Sequence, residues 1–166
     1  VLNLTNKSRR PLPPGAEETL ERVASAAMAA GGGPFPEAAQ ADVTLVGDDD
    51  MRELNRTYLG VDEPTDVISF SLLEGGPEPA VRGAPPPVLL GDVVISADQA
   101  FEQGEQYGHG FLPELALLVA HGVLHLLGHG DETPEERAEM RRMEREALAA
   151  AGLTVTLPGE HESGTT

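Results

Sequence analysis

His121 and His125 stand four residues apart in the stretch His121-Gly-Val-Leu-His125-Leu-Leu-Gly-His129-Gly-Asp131. In a helix, residues at i and i+4 stack on one face with Cβ atoms about 5–6 Å apart. Two imidazoles so placed can share one ion at about 2.1 Å each. A straight continuation of the helix would carry His129 about 12 Å along the axis from His121, at about 1.5 Å per residue, too far for one ion to serve both. Gly128 and Gly130 instead predict that the helix ends there, which lets the chain curl back and present Asp131. Two histidines and a carboxylate leave one position of a tetrahedral ion open to water, the pattern of a catalytic rather than a closed structural zinc site. The predicted ligands are therefore His121, His125 and Asp131, with His129 as the alternative third ligand. One Zn2+ is expected, another divalent metal being compatible.

A histidine pair on an exposed helix is ordinarily surface. This helix is apolar nearly all round, and a buried histidine pair without partners would be costly; an ion removes that cost. Asp131 has a competing reading as a turn or capping residue before Thr133, and His129 one as a solvent-facing residue at a helix end. A bound metal lowers the pKa of a water toward 7 and polarises carbonyl or phosphoryl oxygens. The zinc peptidase motif H-E-x-x-H needs a glutamate after its first histidine, and here that place is Gly122. Phosphoryl substrates, whose transition states rely on charge stabilisation, fit the residues better.

Local patterns predict the elements that must hold these groups. Val1–Leu4 alternates weakly, as an edge strand does. Ala16–Ala30 has Leu20, Val23 and Ala27 at helical spacing, and Gly31–Pro36 breaks it. Asp42–Val46 is a β-branched strand. Asp48, Asp49 and Asp50 supply the N-cap and first-turn charges of a helix through Met51, Leu54 and Tyr58, ended by Gly60. Thr65–Leu73 and Val88–Ser96 read as strands joined by a Gly/Pro-rich flexible loop at 74–87. Ala97–Tyr107 and Leu112–Leu127 read as helices, the second buried. Thr133, Pro134 and Glu136 make a capping box with proline at the first helical position, opening a helix over Glu135–Ala150. The order strand, helix, strand, helix, two strands, three helices predicts an α/β (α+β type) fold. It is a single small domain over 1–157, one mixed sheet of about four strands packed with about five helices. The tail at 158–166 is expected to be disordered.

The bulk numbers agree with that size. The chain has 166 residues, 40% of them hydrophobic and 23% charged, and no cysteine. A disulfide framework, a disulfide-linked partner, a thiolate metal site and a thiol nucleophile are thereby excluded. Val1–Lys7 is not followed by the apolar segment of a secretory signal. The longest apolar run, Phe111–Leu127, contains Pro113, Glu114, His121 and His125 and falls short of the roughly 20 apolar residues of a membrane helix. The net charge of −17 argues against a broad nucleic-acid-binding surface, while leaving room for a local one.

Three ordered segments carry a family resemblance. His121-Gly-Val-Leu-His-Leu-Leu-Gly128 resembles the signature of the YbeY endoribonucleases, bacterial rRNA maturation factors. Asp62-Glu-Pro-Thr-Asp-Val-Ile-Ser-Phe70 and Gly91-Asp-Val-Val-Ile-Ser96 resemble the family's strand motifs, and Leu54-Asn-Arg-Thr-Tyr58 the helix before them. The resemblance spans about Asp42 to Leu153. It implies a zinc held by three signature residues, the first two being His121 and His125. It further implies a metal-dependent, single-strand-specific endoribonuclease acting on the small-subunit rRNA 3′ end and in ribosome quality control, with single-stranded rRNA and the small ribosomal subunit as partners, in the cytoplasm. The family's usual third histidine is replaced by Asp131, a harder ligand. The arginine that usually follows the helix tyrosine is replaced by Leu59, and Arg56, one turn earlier, is the candidate substitute. Asp66 and Asp92 either orient a ligand histidine or line the cleft, or mark a strand start and a bulge. Arg137, Arg141, Arg142 and Arg145 read as a solvated face pairing with glutamates. Two other readings stand beside the nuclease. One is a metal hydrolase of a non-RNA substrate; the other is a non-catalytic ribosome-assembly factor whose structural metal would take a fourth ligand such as His129.

Overall fold

Strands β1 (Leu2–Asn6), β2 (Ala39–Val46), β3 (Val67–Ser71) and β4 (Val88–Ser96) form one sheet in the order β1-β2-β4-β3. The computed structural model describes residues 2–32, 39–72 and 88–155. The loop expected at 74–87 and the tail expected from Pro158 lie outside the described residues. β1, β2 and β4 run parallel, and β3 is antiparallel on β4. The sheet is mixed, and with the five helices α1 (Ala16–Ala30), α2 (Asp48–Leu59), α3 (Ala97–Tyr107), α4 (Phe111–Leu126) and α5 (Pro134–Ala150) it matches the predicted element order.

Alternation along the strands gives the sheet two apolar faces. Ala41, Val43, Leu45, Val93 and Ile95 face the main core, which they share with α1, α4 and α5. Val46, Ile68, Phe70 and Val94 face the other way and pack with Met51 and Leu54 of α2. β2 and β4 shift register at Gln40/Ala41. At the shift Gly91 has φ +144°, and a Cβ there would lie 2.1 Å from the Phe70 carbonyl oxygen. Only glycine fits that bulge.

α2 begins differently from the sequence reading. Its N-cap is Gly47, which has no side chain to offer; Asp48–Asp50 occupy the first turn. The missing acceptor comes from α3: Asp98 Oδ2 accepts from Asp48 N at 2.9 Å. Ser96 caps α3 by accepting from Gln99 N and donates to Asp48 Oδ1 at 2.8 Å. These bonds tie the starts of α2 and α3 together and so fix where the far end of α2, with Tyr58 and Leu59, meets the site.

Candidate metal centre

α4 is buried continuously from Glu114 to Leu126 except at His121 and His125, whose side chains are 24% and 28% exposed. A helix otherwise enclosed therefore opens to solvent at the two imidazoles. Gly122, between them, faces the sheet: a Cβ on it would lie 2.5 Å from Val93 Cγ1. The peptidase glutamate is absent here because its place is filled by the sheet.

The C-terminus of α4 closes with Gly128 at φ +95°, with its N–H on His125 O at 3.0 Å and His129 N–H on Leu124 O at 3.1 Å. The chain reverses, as the two glycines predict. Three contacts hold the returning segment. His129 Nε2 lies 2.7 Å from the Gly31 carbonyl oxygen at the end of α1. Thr133 and Glu136 form both bonds of the capping box. Arg137 Nη1 donates to the carbonyl oxygens of Asp131 and Glu132 at 3.3 and 2.8 Å.

The result is a triangle. His121 Nε2 and His125 Nε2 are 3.0 Å apart, and Asp131 Oδ2 is 3.6 Å from the first and 3.5 Å from the second. Ligands at about 2.1 Å around a tetrahedral zinc are separated by about 3.4 Å. The three donors thus already have the size of one face of that tetrahedron, and they are the metal-competent cluster among the described residues. Electrostatics agree. Burial disfavours a charged His121, but the carboxylates of Glu144, Asp131 and Asp66 outweigh it and hold its pKa above the ordinary value. Burial and then the neighbouring His121 push His125 below the ordinary value, against the pull of Asp131.

The triangle opens into a cleft of about 710 Å³. One wall is β3, residues Val67–Ser71 with Asp66; the other end carries Tyr58 and Leu59. β3 is an edge strand. Ser96 N bonds Asp66 O and Leu72 N bonds Leu90 O, so the alternation of an antiparallel ladder turns the main-chain groups of Val67 and Ser69 outward. Tyr58 and Phe70 meet edge to face at 5.4 Å between ring centres. Among the described residues, no lysine or arginine lines this cleft.

Of the other residues singled out in the sequence, Asp66 lines the cleft and accepts from Gln103 at 3.3 Å. Asp92 follows the Gly91 bulge, paired opposite Phe70 on the α2 face and exposed; it does not reach the triangle. Arg56 is bonded to Glu53 and does not line the cleft. His129 is engaged with α1, away from the triangle. Local sequence pattern marks neither Glu144, which lies behind His121 on α5, 3.7 Å from Nδ1, nor the buried pair of His109 and Glu114 at 2.6 Å.

Comparison with known proteins shows what the chain is similar to. The chain is 46% identical over 151 residues to "Endoribonuclease YbeY" of Moorella thermoacetica, covering 89% of this chain and 96% of that one. It is 50% identical over 117 residues to the protein of the same name from Bacillus velezensis, covering 70% and 74%. Among solved structures, the solution structure of TM1509 from Thermotoga maritima superposes with a TM-score of 0.57 over 96% of this chain and 99% of that one. At 22% identity this is a likeness of fold alone. The sequence profile described as endoribonuclease YbeY matches residues 4–152, a longer span than the motifs marked, and the chain belongs to the endoribonuclease YbeY family.

Proposed function

We propose that this protein is a metal-dependent, single-strand-specific endoribonuclease whose ion is held by His121, His125 and Asp131. Endoribonuclease action, a hydrolase reaction, follows from the family. The observation that supports the metal centre is the triangle of donors at 3.0, 3.5 and 3.6 Å facing an open cleft. Zinc suits two imidazoles and a carboxylate. When bound, such an ion supplies Lewis acidity toward a phosphoryl oxygen and acidifies a water.

The chain's own residues do the rest. α4 and the reversal after Gly128 hold the three donors at fixed separations. Asp66 keeps a carboxylate at the mouth of the cleft. The Tyr58 and Phe70 rings offer an aromatic surface to an unstacked base, which a single strand can present and a duplex cannot. The substrate we assign is single-stranded rRNA at the small-subunit 3′ end, in the cytoplasm, within one catalytic domain over 1–157. Among the described residues no single helix is long and apolar enough to cross a membrane.

The test is metal content and cleavage of single-stranded RNA by wild type, His125→Ala and Asp131→Ala. The expected result is about one zinc per wild-type chain, as one three-ligand site requires, with cleavage, and loss of both in each variant. Bound metal with intact RNA would instead leave the metal hydrolase of a non-RNA substrate, a reading that the −17 charge and the lack of a cation among the described residues of the cleft lining favour. Metal retained in Asp131→Ala would remove Asp131 from the ligand set.

A further inference from the structure

The face that α5 turns to the core is formed by Met140, Met143, Ala147 and Leu148, each no more than 2% exposed. These positions follow the i, i+3, i+4 spacing of a buried stripe. Glu144 sits inside that stripe, at a position the pattern would give to an apolar residue, and its side chain is only 6% exposed. Burying a carboxylate without a partner is costly. Among the described residues Glu144 makes one polar contact: Oε2 lies 3.7 Å from His121 Nδ1. The other nitrogen of the same ring, Nε2, is a corner of the donor triangle. Beside Glu144 runs a second, smaller cavity of about 480 Å³ that also borders His121.

We propose that Glu144 is a positioning residue for the metal centre. Its carboxylate accepts the Nδ1–H of His121, and so selects the tautomer and ring angle that present the Nε2 lone pair to the ion. The proposal rests on the reading of His121, His125 and Asp131 as ligands. The physical reason is general: a ligating imidazole needs its proton on the nitrogen away from the metal, and a carboxylate behind it fixes that choice and raises the ring's basicity. An N–H hydrogen bond spans up to about 3.2 Å, so a closure of about half an ångström completes the contact. α5 is held against α4 and α1 by the methionines and Leu148, and the capping box that starts α5 follows directly on Asp131. One helix therefore supplies the support behind His121 and the anchor for the third ligand.

The experiment measures zinc affinity by chelator competition in the full chain for wild type, Glu144→Ala, Glu144→Gln, His125→Ala and Met143→Ala. A proton NMR readout of the His121 Nδ1–H in the zinc-loaded protein accompanies it. Glu144→Ala is expected to weaken zinc binding by about 10–100-fold and to lose the slowly exchanging Nδ1 proton. Glu144→Gln, whose amide oxygen can still accept, retains part of both. Met143→Ala is expected to lower thermal stability while keeping wild-type affinity, which separates positioning from packing. If Glu144→Ala does not fold, Glu144→Gln carries the test, with a smaller loss of affinity than the range above. Wild-type affinity and an unchanged Nδ1 signal in a folded Glu144 variant would overturn the proposal while leaving the metal centre intact. Zinc retained by His125→Ala would overturn the metal centre itself, and this proposal with it.

Discussion

Gly122 on α4 stands so close to Val93 on β4 that a Cβ placed on it would lie 2.5 Å from Cγ1 and 3.0 Å from Cγ2. Valine is stiff at χ1 and Val93 is fully buried, so neither side can give way cheaply. The close approach seats α4 on the sheet and sets how far both histidines stand from the β3 wall. Gly122→Ala is expected to destabilise the fold by about 1–3 kcal/mol, the usual cost of overpacking, and to reduce metal affinity by moving the helix. Adding Val93→Ala should recover part of the loss. Urea melts of the single and double variants would check this; an additive pair would show that the two residues do not clash.

Arg137, exposed on α5, donates to the main chain of Asp131 and Glu132, whereas Arg142 on the same helix pairs with Glu139 and Glu146. Hydrogen bonds from a charged donor contribute about 1.5–3 kcal/mol where they are sheltered and less where, as here, they are exposed. Arg137→Ala is therefore expected to leave the melting temperature nearly unchanged and to weaken metal binding severalfold, because the loop carrying the third donor loses its brace. Chelator competition on the purified variant gives the answer. Unchanged affinity would mean that the capping box alone positions Asp131.

What could be read from the sequence was what is local. The pair His121 and His125, the glycine stop after Leu127, and the box of Thr133 and Glu136 involve residues within a few positions of one another, and each has the predicted form. The element order and the mixed sheet were legible for the same reason. The contacts missed are those between distant residues. Glu144 lies in a helix dense with glutamate and arginine, where one more glutamate looks like solvated surface; only the packing of α5 on α1 and α4 buries it. The run Asp48–Asp50 points to a local cap for α2, but Asp98, fifty residues after Asp48, supplies the acceptor. The insertion of β4 between β2 and β3 likewise depends on pairings that no local pattern encodes.

Asp98 also gives the fold a dependence on acid. The Asp48 N–H and then the Arg10 guanidinium hold its carboxyl below the ordinary aspartate range, against a smaller effect of burial. A folded pKa below the unfolded value of about 3.9 means that the contribution is complete above that value. It is lost as the pH falls through the lowered folded value. Asp98→Ala is expected to be less stable than wild type by about 1–2 kcal/mol at pH 6, as for a charge-assisted bond in partial exposure. The gap should close once the pH is below both pKa values. Urea melts at pH 6 and across the acid range test this; a gap independent of pH would assign the loss to packing.

Leu59 is 60% exposed at the end of the cleft, where the family resemblance implies an arginine. Arg56 is occupied by Glu53, so Arg56→Ala is expected to change RNA cleavage by less than about twofold, as for other exposed pairs. Leu59→Arg adds a cation to a cleft whose described lining has none, with no core to disturb. It should lower the KM for single-stranded RNA and steepen its salt dependence. One added phosphate contact raises the slope of log affinity against log salt by about 0.7 on a single strand. Binding titrations at several salt concentrations measure that slope. A larger loss in Arg56→Ala would show that Arg56 leaves Glu53 to meet the substrate.

Asp131 stands where the family resemblance implies a third histidine, and its side chain is 44% exposed, which leaves room for an imidazole. Carboxylate oxygen is the harder donor; imidazole favours zinc and other later transition metals over manganese and magnesium. The triangle with Asp131 should accordingly discriminate less between zinc and manganese than the same triangle closed by histidine. Asp131→His is expected to keep the metal and to raise the ratio of zinc to manganese affinity by about tenfold or more. Asp131→Ala should lose both ions. Competition titrations of the two metals against wild type and both variants decide it. If the ratio does not move in Asp131→His while Asp131→Ala still binds zinc, the oxygen 3.5 Å from His125 is a turn residue near the site and the third donor has to be sought elsewhere on the loop.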